Sequence, residues 1–132
     1  MRSVRKCGER GAITVWTAVV LIGFIMIIGI GVDFSGHARA TQEARGIAAE
    51  AARAGQQHLK LTSGNLKPSP DIAKQAAEKY VAASRFRGTA QMIGDTVIEV
   101  KVTGEYTCMF LNIIGIRTLP VRAEGTSDLH SS

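Results

Sequence analysis

The sequence predicts an α+β fold: a long N-terminal helix that begins as a membrane span, a second helix, and a small antiparallel sheet of about three strands. Three observations predict it. Ala12 to Val32 is an uncharged run dominated by Ile, Val, Leu and Gly. The next thirty residues are rich in Ala, Gln, Glu and Arg, and no proline occurs before Pro68. The last third then changes from helical spacing to strict alternation of apolar and polar residues.

The apolar run sets the first element. Its twenty-one residues cover ~31 Å as a helix, the thickness of a bilayer's hydrocarbon core. A helix satisfies its own backbone groups, so it is the economical way to place such a segment in lipid. Before it lie Arg2, Arg5, Lys6 and Arg10 against Glu9, a net charge of +3. Basic residues on that side predict that the N-terminus stays in the cytoplasm and that everything after Asp33 is outside. Ala38-Arg39-Ala40 offers an alternative, signal-peptidase cleavage after Ala40 and release of a small secreted binding module. The apolar run is longer than the 7–15 residues usual in a cleaved signal, which favours the anchor.

From Phe34 to about Leu59 nothing ends the helix, because its residues are good helix formers. Gly36, Ala40, Ala44, Ala48 and Ala52 recur every four residues, with Gly55 on the adjacent row. Such a ridge of small side chains admits close approach of another element. Two uses stand open: packing on the chain's own sheet, or on other helices in an assembly.

Thr62 to Pro70 reads as a turn-rich linker. Ser69 is placed to cap a second helix with Pro70 in its first turn, running to about Ser84. Its expected apolar face is Ile72, Ala76, Tyr80 and Ala83. Strands are expected at Thr89–Ile93, Thr96–Thr103 and Thr118–Thr126, with a hairpin turn at Gly94-Asp95. Ile98, Val100 and Val102 would face one way, as would Leu119, Val121 and Ala123. Cys108 to Ile116 is a compact apolar run, either a short helix or a loop over the sheet. Ser127–Ser132 is expected to be a disordered tail.

Charge and residue inventory exclude several functions. The sequence pI is near 9.6, but from Asp33 onward twelve basic residues meet ten acidic ones, so the basic excess sits in the leader. No basic stripe with interleaved aromatics remains to bind nucleic acid. No Gly-x-Ser-x-Gly, phosphate loop or paired carboxylates suggest catalysis. Asp33 and His37 share a helical face, but no further ligands are spaced to complete a metal site, and both are expected at the membrane boundary, with Asp33 meeting water. No cofactor is implied. Cys7 and Cys108 fall on opposite sides of the membrane and cannot pair within one chain, so Cys108 is either buried as a small apolar residue or bridges two molecules.

Several stretches resemble one family. They are Arg10-Gly11-Ala12-Ile13-Thr14-Val15 at the entry to the apolar helix, Gly31-Val32-Asp33-Phe34 at its exit, and the stalk ending Ala49-Glu50-Ala51-Ala52-Arg53-Ala54-Gly55. Downstream, Val100-Lys101-Val102-Thr103, Tyr106-Thr107, Phe110-Leu111, Ile114-Gly115-Ile116 and Leu119-Pro120-Val121-Arg122-Ala123 continue the likeness. The pattern resembles the TadE/TadG-like proteins of tight-adherence (Flp) pilus systems, in particular their actinobacterial forms. The resemblance implies a pilin-like fold, no enzymatic activity, and a minor pilin or pseudopilin-like role among other pilus subunits. Pilin substrates usually carry Glu at the fifth position after a Gly cleavage site. Here the residues in question are Trp16 after Gly11 and Ile13 after Gly8. That departure favours an uncleaved anchor in the cytoplasmic membrane.

The expected organisation is therefore a basic leader over 1–11, a membrane helix over 12–32, a helical stalk over 33–60 and a small α+β domain over 61–132.

Overall fold

A computed structural model describes residues 7–62, 70–94 and 96–128. Helix α1 runs unbroken from Cys7 to Thr62, fifty-six residues or ~84 Å. It continues through Asp33 without a break, so the apolar run and the residues expected as a stalk belong to one helix. Helix α2 spans Pro70–Ala82. Strands β1 (Arg87–Ile93), β2 (Val97–Thr107) and β3 (Thr118–Asp128) follow, with a 3-10 turn at Leu111–Ile114 between the last two. The expected α+β architecture is the one observed. Ser69, Asp95 and Leu129–Ser132 lie outside the described residues, as does most of the linker.

The strands form an antiparallel meander in the order β1-β2-β3. Alternation sets its two faces. Ile98, Val100 and Val102 of β2, Ala90 of β1, and Val121 and Ala123 of β3 are buried beneath the helices. The opposite face keeps Thr89, Lys101, Thr103, Arg122 and Glu124 in solvent, with Lys101 held between Glu99 (3.8 Å) and Glu124 (3.9 Å). The three strands are longer than the alternating segments alone suggest. β2 continues through Tyr106-Thr107, and β3 takes in Ser127 and Asp128, which are strand and not tail.

α1 lies along β2 and β3, while α2 fills the space between α1 and β1. The direction is close to parallel with β3. Pro120 meets α1 at His37, Gly125 meets it at Ala48, and Asp128 meets it at Gln56. Eight residues of strand cover ~26 Å and nineteen of helix ~29 Å, so the two rise together.

Small residues permit this fit. A Cβ added at Gly125 would collide with the Ala48 carbonyl carbon, and it would lie 2.6 Å from both the Ala48 oxygen and the Ala49 nitrogen. Strand and helix backbones are therefore in direct apposition.

The face of α2 departs from expectation. Ala73, Ala77 and Val81 are buried, whereas Ile72 and Tyr80 stand about half exposed. The helix is rotated by one residue from the face that its bulkier side chains suggest. The cause is the narrowness of the gap: at Gly55 of α1 an added Cβ would lie 2.9 Å from the Ala73 oxygen and 3.4 Å from the Ala77 Cβ. Only alanines fit there, so the larger residues are turned outward.

Candidate membrane and helix-packing interface

The functional residues expected from sequence fall in three places. Arg2, Arg5 and Lys6 lie outside the described residues. Gly8, Arg10 and Gly11 fall in the first turns of α1. The ridge lies further along the same helix. Ala40, Ala44, Ala48 and Ala52 are all buried, and Gly36 lies against the Tyr106 ring, whose Cε2 would be 2.8 Å from an added Cβ. Of the two uses left open for the ridge, this arrangement takes the first: the chain's own domain occupies it. Another helix could reach that row only by displacing the sheet.

The N-terminal half of α1 is the reverse. Ile13, Trp16, Leu21, Ile22, Phe24, Ile25, Ile27 and Phe34 are exposed around the whole circumference. A helix apolar on every side and left largely uncovered by the described residues needs an apolar surrounding. Among the described residues α1 is the one helix long and apolar enough to cross a membrane.

Asp33 marks the junction, and it does not meet water as the sequence suggests. It is completely buried. Its carboxylate accepts three backbone N–H bonds, from Met109 (2.8 Å), Phe110 (2.9 Å) and Leu111 (2.6 Å). These amides open the 3-10 turn Leu111–Ile114, whose own flanking residue Phe110 supplies no cap. An acid on α1 therefore caps a turn seventy-odd residues away, where unpaired N–H groups favour negative charge. Beside it the Phe110 ring covers Gly29, where an added Cβ would lie 2.7 Å from Cδ1. The apolar run Cys108–Ile116, expected as a short helix or a loop over the sheet, thus holds the short 3-10 turn and docks on the apolar end of α1.

Neighbouring groups complete the clamp. His37 Nε2 lies 2.9 Å from the Pro120 carbonyl oxygen. A carbonyl only accepts, so Nε2 carries the proton. The imidazole also meets Tyr106 edge-on at 6.4 Å between centroids. Asp33 and His37, each committed elsewhere, do not converge on a common ligand. Cys108 is buried. Burial, and secondarily the Asp33 charge, push its thiol pKa up, which keeps it an unreactive thiol. This placement matches the buried reading of Cys108 and not the bridging one.

Burial would raise the Asp33 pKa, but the three amide bonds outweigh it and hold the carboxyl below its ordinary value. A depressed folded-state pKa means that the carboxylate's contribution is complete above the unfolded value and is lost as pH falls through the folded one. The amide proton shifts of Met109, Phe110 and Leu111 should hence stay constant from neutral pH down to about 4 and move together only below it. A transition at higher pH in detergent-solubilised protein would contradict this.

The Asp33 clamp is not legible in the sequence. Its one visible trace is an acid placed directly after an apolar span, with nothing to name its partners.

The family model described as "Putative Flp pilus-assembly TadE/G-like" matches residues 11–77, half of the chain, covering α1 from Gly11 and α2 as far as Ala77. The chain belongs to this TadE/G-like family. No curated protein and no solved structure matches it. The family match ends before β1, so the sheet and the Asp33-capped loop lie beyond the matched segment. Membership gives the chain a part in Flp pilus assembly, a structural and not an enzymatic task, and its long apolar N-terminal helix fits membrane anchoring in such a system.

Proposed function

We propose that this TadE/G-like chain is a minor pilin or pseudopilin-like subunit, held uncleaved in the cytoplasmic membrane with its N-terminus inside and its α+β domain outside. It acts by packing, with other pilus-assembly subunits as partners. One observation carries the reading: α1 is cradled by its own sheet along the second half and, apart from the contact of Phe110 with Gly29, left exposed and apolar along the first. That division suits a rod shared between a membrane, or a neighbour's helix, and a small outer domain. The leader charges Arg2, Arg5, Lys6 and Arg10 support the orientation. Trp16 and Ile13, at the positions where a pilin substrate carries glutamate, support retention of the leader.

Release after Ala40 is the competing reading, and two contacts weigh against it. Ala40 is buried within α1, and Thr41 donates its hydroxyl to the His37 carbonyl at 2.9 Å. Cutting there would also remove Asp33 from the three amides it caps.

Intact mass, measured separately on the membrane fraction and on sheared surface material, tests the proposal. The expected species is full-length protein confined to the membrane. A form cut after Gly8 or Gly11 in the sheared material would make it a processed filament subunit. A soluble form beginning at Thr41 would make it a secreted module.

A further inference from the structure

We propose that the β2–β3 connection, Cys108–Arg117, is a second membrane element: an apolar wedge that enters the outer leaflet beside α1 and seats the domain on the lipid surface. The inference rests on the membrane-anchored reading above.

Its position comes first. Phe110 packs at the level of Gly29, below Asp33 and within the apolar run. A groove of ≈350 Å³ separates the loop from the helix, walled by Ile22, Ile25 and Met26 on one side and by Phe110, Ile113 and Ile114 on the other. Ile22 lies eleven residues before Asp33, ~16 Å along the axis, about half of a hydrocarbon core. If residues 12–32 cross the bilayer, the loop stands at the depth of one leaflet.

Its chemistry comes second. No charged side chain lies between Cys108 and Ile116. Ile113 is 82% exposed, Met109 71% and Ile114 66%, a cluster that water would disfavour. Arg117 follows at once, placed to hold the loop's base at the headgroups.

The backbone decides between lipid and water. Irregular chain enters hydrocarbon only where its polar groups are satisfied. Met109, Phe110 and Leu111 donate to Asp33. Cys108, Ile113, Gly115 and Ile116 donate to the carbonyls of Arg117, Phe110, Asn112 and Leu111. The buried Asp33 thus pre-satisfies the amides that lipid would otherwise leave bare. The loop surface is also continuous with the bare side of α1, so the occupant is the same for both: lipid acyl chains.

The test uses the full chain in phosphatidylcholine–phosphatidylglycerol vesicles, with and without acyl-brominated lipid. Native Trp16 reports the anchor. A Trp16→Phe, Ile113→Trp double variant reports the loop, at a site so exposed that no packing is lost. Both indoles are expected to lose roughly half their emission to brominated lipid, because ring and bromines share the hydrocarbon, and both should be shielded from aqueous iodide. Quenching of Trp16 by bromolipid with iodide access at position 113 would overturn the wedge and leave the anchor standing. Shielding of position 113 from both quenchers would overturn it in favour of a second copy covering the loop. If Trp16 itself escapes bromolipid, the anchor fails and the wedge with it.

Discussion

Asp33→Ala is expected to release the Cys108–Arg117 loop from α1 while leaving the helix and the sheet core in place. The alanine removes the acceptor of three partly buried amides at once. Buried donors without partners are costly, more so than the lost bonds alone suggest. In lipid the cost rises, since no water can substitute. Amide exchange should therefore accelerate at Met109, Phe110 and Leu111 by orders of magnitude, while Val100 and Val102 in central β2 stay protected. Asn keeps the shape and one acceptor oxygen, so Asp33→Asn should fall between alanine and the native protein. Native-like protection of the three amides in the alanine variant would refute the clamp.

Gly125→Val is expected to do the opposite, damaging the core and sparing the loop's cap. The new Cβ would fall on the main chain of α1 at Ala48 and Ala49, and a helix backbone cannot swing aside as a flexible side chain can. Strand and helix must separate, which also loosens Val121 and Ala123 on the same face. Overpacking typically costs about 1–3 kcal/mol, occasionally more, and backbone apposition places this variant at the top of that range. Denaturant titration in micelles, read from the β-strand amides, measures it. A change of less than about 0.5 kcal/mol, the level of an ordinary surface substitution, would show that the apposition is looser than the geometry requires. Ala48→Leu should act in the same direction from the helix side.

Much of the fold could be read from local pattern. The apolar span, the proline-free stalk and the alternation of Ile98, Val100 and Val102 each state an element directly. Helical and strand periods need no partner to be visible. The same holds for the resemblance to the pilus-assembly family: its stretches along α1 fall within the family match over residues 11–77, and those from Val100 onward lie beyond it. What failed was anything that depends on who lies opposite. The buried face of α2 is set by the narrow gap beside Gly55, where Ala73 and Ala77 fit, and side-chain size along the chain does not reveal that gap. For the apolar run after Cys108 a short helix and a loop over the sheet are both open from sequence; a 3-10 turn forms at Leu111–Ile114, and sequence does not say what covers it.

By itself the sequence determined that this chain has a rod long enough to cross a bilayer and continue beyond it, with an antiparallel sheet to follow. Those properties are set by neighbours along the chain. Only the tertiary structure decided that the small-residue ridge is filled by the chain's own β2, β3 and α2, and that Asp33 is buried as a cap. Such choices depend on contacts between residues far apart in the chain, from eighteen positions for Gly55 and Ala73 to seventy-seven for Ala48 and Gly125, where chain order carries no information about distance. They are settled by which surfaces can approach closely enough to exclude water.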